Sequence, residues 1–165
     1  MSVMVRAASP QEYDVIGDLT ARAYLADGLI PQGSDYQDTL RKAADRAQHS
    51  ELLVAWDDEA GQVLGTVSFV RAGSAYADVA REGEAEFRML AVDPAARGLG
   101  LGRVLVEECV ARARAAGARR LVLSTRSMMT PAVGLYESMG FVRRPERDWE
   151  PMAGVLLMTY ELELG

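Results

Sequence analysis

Apolar positions recur along this chain at two periods, and the switches between them predict an α/β order. Val3 to Ala7 is a short apolar stretch ended by Ser9-Pro10, a first strand. Ser9 then caps a helix with Pro10 as its first residue and Glu12 as its third, a capping-box arrangement. Within that helix Tyr13, Ile16, Leu19, Ala23 and Tyr24 fall at helical spacing, and Asp27-Gly28 stops it. Tyr36 to Gln48 predicts a second helix, rich in charge. ELLVAW (51–56) and QVLGTVSFV (62–70) read as two strands, with Asp57, Asp58 and Gly61 in a hairpin between them. Residues 72–83 are small and polar, a loop, and AEFRMLAV (85–92) is the next strand, ended by Asp93-Pro94.

The clearest helix runs from Gly100 to Gly117, with Leu101, Leu105, Cys109 and Ala113 in one stripe. RRLVLST (119–125) is a continuous apolar run of the kind buried on both faces. A helix from Thr130-Pro131 to Met139 stops at Gly140, and Phe141–Arg144 and Val155–Leu164 close the chain as strands. The order β-α-α-β-β-β-α-β-α-β-β shows no repeat or linker. It predicts one α/β domain over 1–165 around a mixed sheet, with 85–125 as a parallel crossover.

Composition narrows this picture only a little. At 165 residues, 49% hydrophobic and 25% charged, the chain has the size and core of one globular domain. A net charge of -6 argues against a nucleic-acid partner, whose footprint is a basic face. Cys109 is the only cysteine, so nothing asks for an oxidising compartment. MSVMVRAASP lacks the apolar core of a signal peptide, and no run approaches the ~20 apolar residues of a membrane span. The expectation is a cytoplasmic protein with no membrane partner.

Chemistry enters at RGLGLG (97–102), three alternating glycines between Arg97 and Arg103. A Walker A loop fails here, because Arg103 stands where its second glycine belongs. A Rossmann fingerprint fails too, for Arg103 fills its third glycine and Arg119 and Arg120 lie where the ribose acid belongs. The setting still suits phosphate. A strand ends at Asp93, and the stretch opens the best helix of the chain, whose free N–H groups and dipole favour anions. The plain alternative is a glycine-rich connector with solvated arginines.

Met89-Leu90-Ala91-Val92-Asp93-Pro94 followed by Arg97-Gly98-Leu99-Gly100-Leu101-Gly102 resembles the acyl-CoA motif of the GCN5-related N-acetyltransferases, [QR]-x-x-G-x-[GA]. Leu135-Tyr136-Glu137-Ser138-Met139-Gly140-Phe141 resembles the second motif of the same family, L-Y-x-x-x-G-F. The resemblance implies that family's fold: a mixed, mostly antiparallel sheet of six to seven strands, splayed between the fourth and fifth, with about four helices. It implies acetyl-CoA as cosubstrate and no metal. Backbone groups of Leu90 and Val92, beside Ala91, would pair with the pantetheine amides in the splay. The backbone of Arg97, Gly98, Leu99, Gly100, Leu101, Gly102 and Arg103 would cradle the pyrophosphate. One position departs from the family: Met129 stands where many members carry an Asn that touches pantetheine, with Thr130 as a neighbouring substitute.

On this resemblance Tyr136 is the general acid, its hydroxyl directed at the CoA sulfur. Its other reading is a core aromatic. Glu86 is the candidate base acting through water, with Glu84 second, and their other reading is a solvated strand face. The N–H near Leu90 is the candidate oxyanion donor. Cys109 reads as a core residue, and His49 as a solvated one. Ser124 and Thr125 end a buried strand. The acceptor, a small-molecule or peptide amine, would be chosen by 25–36, 71–84 and 144–152. There Tyr24, Asp27, Asp35, Asp148, Trp149 and Glu150 are candidates to hold a cation, against an acidic solvated surface. The function implied is transfer of acetyl to a primary amine by direct attack in a ternary complex. The alternative is a non-catalytic module that binds acyl-CoA. Family members often dimerise, so a homodimer is open.

Overall fold

Eight strands and five helices form in the order that the periodicity predicts, with one helix divided and one strand added. The structure is a computed structural model that describes residues 1–165. The strands are β1 (Val3–Ala7), β2 (Glu51–Asp57), β3 (Gln62–Arg71), β4 (Glu84–Val92), β5 (Arg120–Thr125), β6 (Val142–Arg143), β7 (Trp149–Met152) and β8 (Val155–Glu163). The helices are α1 (Tyr13–Ala26), α2 (Tyr36–Arg41), α3 (Ala43–His49), α4 (Leu101–Ala115) and α5 (Thr130–Ser138). Contacts divide the chain into two compact units, Met1–Phe69 with Met89–Glu108, and Val70–Arg88 with Cys109–Gly165. β4 and α4 each contribute one half to each unit.

In the first unit β1 pairs antiparallel with β2, and β2 with β3, with a register shift between Ala55 and Trp56. The hairpin turn works because the Asp57 carboxylate accepts the Glu59 N–H at 3.1 Å, and Gly61 takes a φ of 65°. Ile16, Leu19 and Ala23 of α1 pack with Leu52, Val54 and Val63 of the sheet, and all six are buried. The N-terminus of α1 is entered through a short 3-10 turn, Pro10–Glu12. The Glu12 carboxylate accepts the Ser9 N–H at 2.9 Å, as the capping-box pattern predicts, and also pairs with Arg6 at 2.8 Å.

The helix predicted over 36–48 is two helices. Lys42 leaves helical geometry at ψ 61° and divides α2 from α3. Buried Arg46 is the physical reason: its Nη1 donates to the carbonyls of Leu40 at 2.8 Å and Thr39 at 3.3 Å. Those are the oxygens that a continuous helix would give to the N–H groups four residues on.

In the second unit β5 pairs antiparallel with β8, which also takes β6 and β7. β7 lies inside the stretch 144–152 that the sequence pattern leaves without an element. β4 pairs parallel with β5, as expected of the crossover, but only Glu84–Glu86 against Arg120–Val122. β4 and β5 both run on beyond that register. This is the splay that the resemblance implies.

Candidate functional site

The site is built on β4. Where its pairing with β5 has ended, Met89 takes a φ of 54°, in the left-handed region that non-glycine residues seldom occupy. The Met89 side chain is buried with Ala21 and Leu40, and that packing holds the kink. Leu90 and Val92 beyond it are half-buried, and Ala91 is buried.

The chain then turns at Asp93, whose carboxylate accepts the Ala95 N–H at 2.9 Å, and passes through a 3-10 turn, Pro94–Ala96. Gly98 and Gly100 follow at φ 81° and 77°. A Cβ added at either would meet nothing within 4 Å, so the backbone there is open. The first bond of α4 runs from the Val104 N–H to the Gly100 carbonyl at 3.2 Å. The first turn of α4 therefore points backbone N–H groups such as those of Leu101 and Gly102 toward the loop. Open backbone, the N–H groups of a helix start and the positive end of the helix dipole fit an anionic group such as a pyrophosphate.

Arg97 does not lend its charge freely to that cradle. Its guanidinium grips Asp27 at 2.8 and 3.3 Å, and its Nε donates to the Val92 carbonyl at 3.3 Å. Arg97 is thus a strut between the end of α1 and the glycine loop. Asp27, expected among the residues that hold a cationic acceptor, is engaged by the same contact.

The second unit holds both catalytic candidates. Tyr136 sits on α5, which begins with Pro131 in its first turn and ends at Gly140, φ 96°. Its ring is buried edge-on against Phe87 at 5.7 Å and Phe141 at 5.9 Å. Core aromatic and reactive hydroxyl are therefore compatible readings of one side chain.

Glu84, Glu86 and Arg88 share one face of β4. That face is not solvated, because the loop 72–83 folds back over it. Glu86 is fully buried. Its Oε1 accepts the backbone N–H groups of Asp78, Val79 and Ala80 at 3.0, 2.9 and 3.0 Å. Its Oε2 is buried without a partner. Burial pushes the Glu86 carboxyl above the usual carboxylate range, with the Asp78 charge adding to it. The N–H groups of Val79 and Ala80 and the charge of Arg88 pull the other way, and burial prevails.

Glu84 is also buried, and both of its oxygens are taken. Oε1 accepts Arg147 Nη2 at 2.8 Å and the Arg81 N–H at 2.9 Å, and Oε2 accepts Arg147 Nη1 at 3.0 Å. Burial acts to raise its pKa, but these bonds and the charges of Arg147 and Arg120 outweigh burial and hold it low. A carboxylate so engaged is a poor proton acceptor.

The remaining candidates separate. Asp148 is locked to Arg143 and accepts the Thr159 N–H at 3.0 Å. Trp149 Nε1 donates to Ser124 Oγ at 3.1 Å. Cys109 is buried in the stripe of α4. His49 ends α3 on the exposed surface. Asp35 and Glu150 are exposed. Sequence reasoning missed Arg147, a buried guanidinium inside a stretch that reads as charged surface. No group of three or more His, Cys, Asp or Glu side chains is arranged to hold a metal. No helix is long and apolar enough to cross a membrane.

Residues 16–141 match the model of the family described as Acetyltransferase (GNAT) family. The chain belongs to the GNAT acetyltransferase family. Among curated GNAT relatives, an uncharacterized N-acetyltransferase of Schizosaccharomyces pombe is 35% identical over 114 residues, 69% of this chain and 65% of that protein. A mycothiol acetyltransferase of Cellulomonas flavigena is 36% identical over 152 residues, 86% of this chain but 41% of that protein. The chain thus spans less than two thirds of the length of the curated relatives it matches. Among solved GNAT structures, an acetyltransferase of Brucella melitensis in complex with acetyl-CoA is 27% identical at a TM-score of 0.67, covering 99% of this chain and 89% of that one. A GNAT-family protein of Desulfovibrio desulfuricans has the same fold at a TM-score of 0.75 and 23% identity, covering 99% and 100%.

Proposed function

We propose that this chain is an N-acetyltransferase, with 1–165 as one catalytic domain, that moves an acetyl group from acetyl-CoA to a primary amine. The observation that carries this reading is the open glycine backbone at Gly98 and Gly100, which leads into the N-terminus of α4. That is a seat for the phosphates of the cosubstrate, supported by the Brucella melitensis relative that holds acetyl-CoA. Backbone N–H groups do the binding there. Leu90 and Val92, past the kink at Met89, offer main-chain groups to the pantetheine amides, and the N–H near Leu90 serves the oxyanion.

Transfer is direct. The neutral amine attacks the thioester carbonyl, the C–N bond forms and the C–S bond breaks. Tyr136 protonates the departing sulfur. Glu86 takes the proton of the amine through water, using Oε2, the oxygen that no protein group occupies. Its raised pKa suits the task, since a base titrating closer to neutrality is a better acceptor at working pH. The bonds of Glu84 to Arg147 favour Glu86 over Glu84 for that role.

An amine-panel assay of CoA release tests the function, with the acceptor of mycothiol acetyltransferases as its first member. Release with one amine class supports the reading and names the class. Tight acetyl-CoA binding with no release in any member would make the chain a binding module instead.

A further inference from the structure

Three side chains of β4 that alternate along one face all bond to the same loop. Glu84 takes the Arg81 N–H, Glu86 takes the N–H groups of residues 78–80, and Arg88 donates to the Tyr76 carbonyl at 3.0 Å and pairs with Asp78 at 3.0 Å. The other backbone polar group of the central residue, Val79, is also held. The Val79 carbonyl accepts Arg147 Nη2 at 2.8 Å, while the Val79 N–H meets Glu86. Arg147 is itself fixed by Glu84 and, at 3.0 Å, by Glu161 of β8.

We propose that the segment 76–81 is a backbone clamp that aims Glu86, and that Arg147 is the positioning residue that keeps the clamp closed. Three donors converge on Oε1, and this fixes the rotation of the carboxylate and leaves Oε2 as its only oxygen without a hydrogen-bond partner. An Oε1 shared with substrate would lose that selectivity. Arg147 reaches the reacting groups only through Val79 and Glu86. The charges that act on Glu86 are those of Asp78 in the loop and Arg88 on its own strand. Arg147, Glu84, Arg120 and Glu161 pair with one another in the adjoining network.

The inference deepens the reading of Glu86 as the base, and its test separates the two. Arg147→Lys keeps the charge but cannot span Glu84, Glu161 and the Val79 carbonyl with a fixed fork. With the clamp loosened, the ionised carboxylate loses donors. The acid limb of the kcat–pH profile is then expected to move up by roughly one pH unit, with acetyl-CoA affinity unchanged. A folded Arg147→Lys protein with a wild-type limb would overturn the positioning role. Hydrogen exchange reads the clamp without catalysis. Glu86→Ala should release protection at the amides of Asp78, Val79 and Ala80, and Glu86→Gln, whose amide oxygen still accepts, should keep it. Equal protection in Glu86→Ala and wild type would overturn the clamp whether or not Arg147→Lys folds. If Glu86→Gln instead retains wild-type kcat and pH profile while the exchange pattern holds, the base assignment fails and the clamp stands.

Discussion

The Tyr136 ring is seated by edge packing, and a phenylalanine of the same shape tests its hydroxyl. Tyr136→Phe keeps both edge contacts, with Phe87 and Phe141. It is expected to lower kcat on the order of a hundredfold while acetyl-CoA affinity measured by calorimetry stays as it was. Wild-type turnover in that variant would remove Tyr136 from the acid role. Gly100 bears on binding instead of chemistry. A glutamate there puts a side chain on a backbone at φ 77° and a negative charge at the N-terminus of α4. Gly100→Glu should therefore abolish the rise in Tm that acetyl-CoA gives, and a retained rise would refute the cradle.

Between elements, close approach overrides local preference. Gly17 lies in α1, where alanine would favour the helix by about 1 kcal/mol. A Cβ at that position would stand 2.4 Å from the Arg41 carbonyl oxygen at the end of α2. Gly17→Ala is therefore expected to destabilise the protein by about 1–3 kcal/mol, seen as a lower denaturant midpoint at unchanged m. A raised midpoint would show that α1 and α2 are not so closely packed. The β1–α1 junction makes a separate statement about pH. The hydrogen bond from Arg6 holds the Glu12 carboxyl at about 2, against the opposing pull of burial. A folded pKa below the unfolded one contributes stability above the unfolded value, and that contribution is lost as pH falls from about 4.5 toward 2. Glu12→Gln should flatten the acid-denaturation curve in that window, and an identical curve would show that the pair contributes nothing.

At the scale of the whole chain, cosubstrate binding is the stability term that most directly tests the function. A ligand that binds only the native state at a hundred times its Kd adds about 2.7 kcal/mol. Acetyl-CoA should therefore raise Tm with a concentration dependence that follows its Kd, and a flat response would leave the family membership without a cosubstrate. The elements around this site were legible because apolar residues run nearly without a break through the strands and recur at helical spacing in α4. Strands β2, β3 and β5 and the stripe of α4 bury those positions. Both motifs are local, and short stretches of backbone build them: the loop into α4, and the α5–Gly140 end with Phe141.

Other features could not be read along the chain, because their causes lie far apart in it. The break at Lys42 depends on the Arg46 guanidinium reaching back to two carbonyls. The polar face of Glu84, Glu86 and Arg88 has the pattern of a wet strand, and it is dry because a loop covers it and Arg147, 63 residues from Glu84, closes the network. Arg97 matches its motif in identity, yet its charge is spent on Asp27, 70 residues away. The sequence by itself determined the order of elements apart from the α2–α3 division and β7, the family, and the glycine backbone that suits phosphate, since each rests on periodicity or on consecutive residues. The tertiary structure alone decided which carboxylate keeps an oxygen without a hydrogen-bond partner, because that depends on which donors and cations folding brings to Glu84 and Glu86.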